Sequence, residues 1–315
     1  MIVIFSKDRA FQLEACLRTL REQCEDIPSV PVKVLWKAST EAHRQAYDLL
    51  RNALSTTASF SVDFIEESNF RADLIQILAS LDRNSWRTGI VHWLARFQNK
   101  SWQRGLGQVF LSRMARPEAA TLFTVDDTLF LRPFRFGECV SQLLAHDRCL
   151  AFSLRLGEGL TRFYMGNRDQ KVPPMQLVDP ATRLCEFRWS DADGDFAYPL
   201  EVSSSFLKIG SLFPRLLRKP WKSPNTLELA FANMAGRYRD THPFVLTFQQ
   251  PHAVAVPLNI VQKDFTANRH GGQDRYHPDQ LCRLFLEGVR ADLSGLAGIS
   301  PNSVHAELDL LPSNQ

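Results

Sequence analysis

The stretch TLFTVDDTLFL, residues 121–131, places two adjacent carboxylates, Asp126 and Asp127, between two apolar runs of β character. Carboxylates held side by side at a strand end repel each other unless a cation or hydrogen-bond donors neutralise them. A buried strand that delivers such a pair to its rim suits a hard divalent ion carrying an anionic ligand, such as a nucleotide diphosphate. Asp-Asp-Thr is also good turn chemistry, so a charged hairpin turn is the alternative. The surrounding chain has to decide between them.

Working outward, residues 1–5 form a short apolar run rich in β-branched side chains, as in a strand buried on both faces. After a polar break at 6–9, Leu13, Cys16, Leu17 and Leu20 recur at helical spacing. The pattern repeats with a strand at 32–36 and a helix carrying Ala42, Ala46, Leu49, Leu50 and Ala53 on one face. It repeats again with a strand at 60–65 and a helix marked by Leu74, Ile77, Leu78 and Leu81. Such alternation predicts an α/β fold with a mainly parallel central sheet flanked by helices. Ligands of such sheets bind beyond the carboxyl ends of the strands. Residues 6–9, 36–39, 66–71 and the Asp126–Asp127 pair therefore belong on one rim.

Residues 82–116 interleave Trp86, Trp93 and Trp102 with Arg87, Arg96 and Arg104, and read as an amphipathic helical pair packed on the core. The second half opens with a strand at 149–154 and then becomes loop-rich. Residues 157–198 carry Gly157, Gly159, Gly166, Pro173, Pro174, Pro180 and Gly194, and long irregular segments of this kind are usually functional or disordered. Arg188, Trp189, Asp191, Asp193 and Asp195 make this stretch a candidate acceptor-binding flap. A strand at 200–207, a helix from 226 to 234 and β-like runs at 244–248 and 253–257 follow. The tail holds an amphipathic helix with Leu281, Leu284, Phe285 and Val289 on one face.

The 315 residues are 44% hydrophobic and 23% charged, as in soluble globular proteins. A net charge of +3 with scattered cations gives no nucleic-acid footprint, so nucleic acid is not an expected partner. Six cysteines without a C-x-x-C pair point to neither zinc nor redox chemistry and suit a reducing compartment. The start MIVIF is too short for a signal-peptide core, and no apolar run reaches the roughly 20 residues of a membrane span. The expected location is cytoplasmic, with peripheral association with a membrane surface left open.

The opening FSKDRAFQLEACLRTL is similar to the start of nucleotide-diphospho-sugar glycosyltransferases of the GT-A fold, and VDD resembles their DXD motif in an xDD form. YPLEVSSSFLKIGSLFPRL followed by SPNTLELAF resembles the acceptor-side strand and PN-x-LE helix start of a bacterial branch. The order of the three segments is more specific than any one of them. The chain departs from the pattern at Val125, which replaces the first acid, and at 82–116, which reads as an insertion. The resemblance implies a single GT-A-like catalytic domain over 1–270, with a nucleotide-binding half at 1–135, an acceptor half at 136–270 and a helical tail at 271–315. It implies transfer of a sugar from a nucleotide-diphosphate donor, with a UDP-sugar favoured, to a hydroxyl acceptor of carbohydrate type, with Mn²⁺ or Mg²⁺ as cofactor.

Under that resemblance Asp127 is the metal ligand, His270 in NRHGG a second candidate, and Asp126 meets the ribose or a metal-bound water. Ser6, Lys7, Arg9, Lys37 and Arg71 would face the diphosphate or base, and Glu66 a ribose hydroxyl. Glu228 has two readings. Three residues after Asn225 it fits a capping box, whereas the resemblance makes it the general base for the acceptor hydroxyl. Asp193 and Asp195 are the reserve bases, and His252 and His305 are further histidines that approach the site. Inversion and retention both stay open. A nucleotidyltransferase is the second enzymatic reading, although FSKDRAF lacks the glycine-rich loop of that class. A non-catalytic nucleotide-sugar-binding protein on a transferase scaffold is the third.

Overall fold

The computed structural model describes residues 1–55, 60–80, 119–216, 219–261 and 274–312. The helical pair expected at 82–116 lies outside them. In chain order the first half contains β1 (Ile2–Lys7), α1 (Ala10–Gln23), β2 (Val32–Lys37), α2 (Glu41–Ser55), β3 (Val62–Glu66), α3 (Phe70–Ala79), β4 (Ala120–Val125) and β5 (Thr128–Phe130). Next come α4 (Phe136–Ala145), β6 (Cys149–Ser153), β7 (Arg162–Phe163), β8 (Arg168–Asp169), β9 (Met175–Asp179) and β10 (Leu184–Arg188). The series closes with β11 (Ser204–Lys208), α5 (Ile209–Leu216), α6 (Pro224–Ala235), β12 (Phe244–Phe248), β13 (Ala253–Ala255) and α7 (Pro278–Leu286).

Nine strands form one sheet in the order β3-β2-β1-β4-β11-β6-β12-β10-β9. Only β10 and β11 run against the others, so the sheet is mainly parallel as the alternation predicts. β1 alternates its side chains between two cores. Ile2 and Ile4 pack with Leu13, Leu17 and Leu20 of α1 and with Phe285 of α7, whereas Val3 and Phe5 pack with Leu74 of α3, Leu212 of α5 and Phe231 of α6. Both faces are thus buried, which is why this strand reads as a continuous apolar run.

β1 pairs with β2 on one side and with β4 on the other. The chain first winds outward through β2 and β3, then returns across β1 to β4. This reversal of strand order opens a crevice at the carboxyl ends of β1 and β4, where Lys7 and Asp126 stand. β4 and β5 do not pair with each other: β5 pairs antiparallel with β13 instead. The Asp pair is therefore the point where the chain leaves the main sheet, and the hairpin alternative falls.

Three expectations need correction. The strand expected at 200–207 begins only at Ser204, because the Glu201 carboxylate takes up the backbone N–H groups of Ser203 and Ser204 and bends the chain there. The loop-rich stretch contains two hairpins, β7–β8 and β9–β10, and the second extends the main sheet beyond β12. Its turn is closed by the Asp179 carboxylate, which accepts from the Ala181 N–H (3.0 Å) and the Thr182 hydroxyl (2.7 Å). α4 has no counterpart among the expected elements.

Candidate active site

A cleft of about 610 Å³ opens at the strand-order reversal and is lined by side chains from both halves of the chain. Ser6, Lys7, Arg9, Lys37, Asp126 and Asp127 face it from one half, and Asp195 and Glu228 from the other.

The lining from the first half of the chain is a charge cluster. Burial pushes the Asp126 carboxyl up to about 6, with the Arg9 charge opposing and that of Asp127 adding. Asp126 accepts from Arg9 Nη1 (3.0 Å) and from the Lys7 backbone N–H (3.2 Å), and the same Nη1 lies 3.2 Å from Asp127. The cation that relieves the pair's repulsion is thus Arg9 itself. Its remaining donors go to Asn259, from Nε to Oδ1 (2.9 Å) and from Nη2 to the backbone carbonyl. Arg9 lines the cleft with its guanidinium engaged by the Asp pair and Asn259. Ser6 is buried with its hydroxyl 2.6 Å from that of Tyr47, which accepts the Arg9 backbone N–H. Asp8, at a left-handed φ of 56°, locks the turn by accepting from the Ser39 N–H and hydroxyl at 2.6 and 2.7 Å.

Part of the lining from the second half is built on α6. Ser223 caps this helix by accepting from the Thr226 N–H, Thr226 returns a bond from its side chain to the Ser223 N–H, and Pro224 starts the first turn. Glu228 lies a turn further in, so the capping reading of Glu228 is overturned. Its Oε1 accepts from the Val202 N–H at 3.3 Å. Burial, with the Glu201 charge adding and Arg155 opposing, pushes its carboxyl up to about 7. Asp195 also faces the cleft, held by Gln170, whose Nε2 donates to it at 3.1 Å and whose Oε1 accepts its N–H at 2.9 Å. Gly194 precedes it at φ +56°, a conformation that favours glycine, and a Cβ there would displace the Gln170 side chain.

Asp193, Glu66, Arg71 and His252 do not line the cleft. Asp193 is exposed and forms a two-pronged ion pair with Arg168 at 2.7 Å, which holds its carboxyl down to about 2. Glu66 points away to Arg44 (2.6 Å) while its neighbour Glu67 lines the cleft and pairs with Lys37 at 2.9 Å. Arg71 donates to the Lys219 carbonyl (2.7 Å) and lies over the Trp221 ring. His252 stacks on Phe248, and His270 lies outside the described residues. His305 does line the cleft, stacked on Tyr164, and burial pushes its imidazole down to about 3. Sequence reasoning missed Arg155, Glu201 and Asn259. The rim rule applied to the strand at 149–154 points to Arg155; Glu201 and Asn259 carry no comparable local signal.

Among the described residues no group of three or more His, Cys, Asp or Glu side chains converges as a metal site. The Asp126 side chain is 4% exposed and that of Asp127 17%. One carboxylate of the pair, Asp127, is thus the more accessible at the cleft, where it already pairs with Arg9 Nη1 at 3.2 Å; a hard divalent ion held by one or two carboxylates and phosphate oxygens is the chemistry such a group could serve.

No family model matches the chain. Among curated proteins it is 23% identical over 223 residues, 67% of its length, to the "Bifunctional glycosyltransferase pgtA" of Dictyostelium discoideum. It spans about a quarter (24%) of that relative. Similar solved structures include mouse xyloside xylosyltransferase 1 (11% identity, 76% of this chain and 75% of that one, TM-score 0.33). They also include S. aureus TarS (14%, 90% and 42%, TM-score 0.39). A third is the galactosyltransferase LgtC in complex with donor and acceptor sugar analogues (12%, 90% and 95%, TM-score 0.34). The curated relative, the xylosyltransferase and the galactosyltransferase are named for sugar transfer, the class the resemblance implies.

Proposed function

We propose that this chain is a glycosyltransferase that moves a sugar from a nucleotide-diphosphate donor, with a UDP-sugar favoured, to the hydroxyl of a carbohydrate-type acceptor. One observation carries the reading. A single cleft has a carboxylate pair and Lys7 at one end, and at the other a glutamate whose proton affinity lies near neutrality. A base works best when its affinity for a proton matches the operating pH, and Glu228 meets that condition.

Lys7 supplies positive charge beside the departing nucleotide diphosphate, where negative charge develops. Asp127 would hold a divalent ion, Mn²⁺ or Mg²⁺, which when bound acts as a Lewis acid on the phosphate oxygens. Arg9 keeps the Asp pair together and fixes Asp127 on the cleft wall. At the other end Glu228 takes the proton of the acceptor hydroxyl as its oxygen attacks the anomeric carbon.

The test is product analysis with a panel of UDP-, GDP- and CDP-sugars and simple glycoside acceptors, in Mn²⁺ and in excess EDTA. Metal-dependent release of nucleoside diphosphate is the expected result. Release of pyrophosphate would make the protein a nucleotidyltransferase, and full turnover in EDTA would remove the metal from the mechanism. Metal-dependent binding of nucleotide sugars without any turnover over the panel would leave a binding protein on a transferase scaffold.

A further inference from the structure

Near Glu228 a buried ion pair, which the reaction as proposed does not use, joins Arg155 of the cleft lining to Glu201. Arg155 follows β6, and its Nη2 is 3.2 Å from Glu201 Oε2; the two side chains are 10% and 3% exposed. The Glu201 carboxylate also accepts from the Ser203 N–H, the Ser204 N–H (3.2 Å) and the Ser205 hydroxyl. These contacts together hold the carboxylate in place. The same bend turns the Val202 N–H onto Glu228 Oε1 at 3.3 Å. Five consecutive residues, 201–205, therefore hold Glu201 and touch Glu228 together.

The groups that face Glu228 come from three further elements. Glu201 and Val202 come from the bend before β11, Arg155 from the end of β6, and Tyr198 from the short turn after Asp195, with its hydroxyl donating to the Glu228 backbone carbonyl at 3.4 Å. Arg155 also feels the charge of Asp195. We propose that Glu201 and Arg155 are positioning residues, a buried pair of opposed charges that sets how readily Glu228 accepts the acceptor's proton. This rests on the reading of Glu228 as the base.

The two charges pull in opposite directions. Glu201 disfavours a second anion nearby, and Arg155 favours it. Burial already raises the proton affinity of Glu228; without Arg155 it would hold its proton more tightly still, and without Glu201 less tightly. The pair keeps it between these limits, and the backbone bonds from Ser203 and Ser204 keep Glu201 from moving out of range.

The experiment is a carbon-13 NMR titration of the full chain labelled at glutamate carboxyls, with the Glu228 signal assigned by its loss in Glu228→Gln. In the wild type, Glu228 is expected to titrate near pH 7. Glu201→Gln should lower that midpoint by roughly one unit or more, the usual effect of a nearby charge. Arg155→Met should raise it, and Arg155→Lys should bring it back towards the wild-type value. An unmoved midpoint in folded Glu201→Gln and Arg155→Met overturns the proposal. So does a wild-type midpoint near the ordinary value of about 4, a result that needs no variant to fold. Turnover separates the two readings: a fully active Glu228→Gln sinks the base assignment and the role of the pair with it. An inactive one with an unmoved titration sinks only the pair.

Discussion

At the scale of single residues, the chain solves one electrostatic problem with its own side chain. Two carboxylates at a strand end need a cation, and Arg9, 117 and 118 positions away, supplies it through one guanidinium nitrogen. Glu228 is the opposite case, a carboxyl left partly uncompensated. Its proton affinity is raised from 4.5 to about 7, so ionising it opposes folding. That cost is absent below about pH 4.5, grows as the pH rises towards 7 and is constant above it. Glu228→Gln removes the cost. Its stability over the wild type should therefore increase from pH 4 to pH 8, reaching on the order of 3 kcal/mol for the rise from 4.5 to about 7 at about 1.4 kcal/mol per unit. Turnover should fall by about 10²–10⁴-fold, the contribution of a positioned base. Urea melts at the two pH values check the first claim, and an equal difference at both would show that Glu228 is not strained by burial.

At the scale of elements, the start of α6 shows how a motif is misread by two positions. Serine before proline is the stronger start signal, because proline at the first helical position loses no hydrogen bond and serine accepts from the third N–H. Ser223 and Pro224 follow that rule, which moves the cap off Asn225 and frees Glu228 for the cleft. Ser223→Ala is expected to cost about 1 kcal/mol, read as a lower urea midpoint with an unchanged slope. An unshifted midpoint would mean that Thr226 carries the cap alone. The late start of β11 has the same kind of cause: the apolar pattern of 200–207 is strand-like, but a glutamate whose carboxylate reaches its own downstream N–H groups outcompetes the ladder.

For the whole molecule, the site follows from winding. Strand order reverses between β1 and β4, and the cleft at their carboxyl ends gathers residues from Phe5 to His305. The tail helix α7 closes the other face by packing on α1 and α2. Among the described residues, no helix is long and apolar enough to cross a membrane. A ligand that binds only the folded chain raises its stability, by about 2.7 kcal/mol at a hundred times its Kd. UDP with Mn²⁺ should therefore raise the melting temperature, UDP with EDTA much less, and Asp127→Asn should abolish the metal-dependent part. The same metal-dependent shift in Asp127→Asn would take the metal contact away from this residue.

The sequence by itself determined the alternation of strand and helix, the two-sided burial of β1, and the rim on which Lys7, Lys37, Asp126 and Asp127 stand. These follow from periodicity and from the rule for parallel sheets, both properties of contiguous residues. Only the tertiary structure decided that Arg9 serves the Asp pair, that Glu67 rather than Glu66 faces the cleft, and that Arg155 and Glu201 stand near Glu228. The reason is physical. A strand end sends neighbouring side chains to opposite sides, so a one-residue difference selects Glu66 or Glu67. An ion pair such as Arg155–Glu201 joins residues 46 positions apart, whose meeting depends on how β6 and β11 lie side by side in the folded sheet.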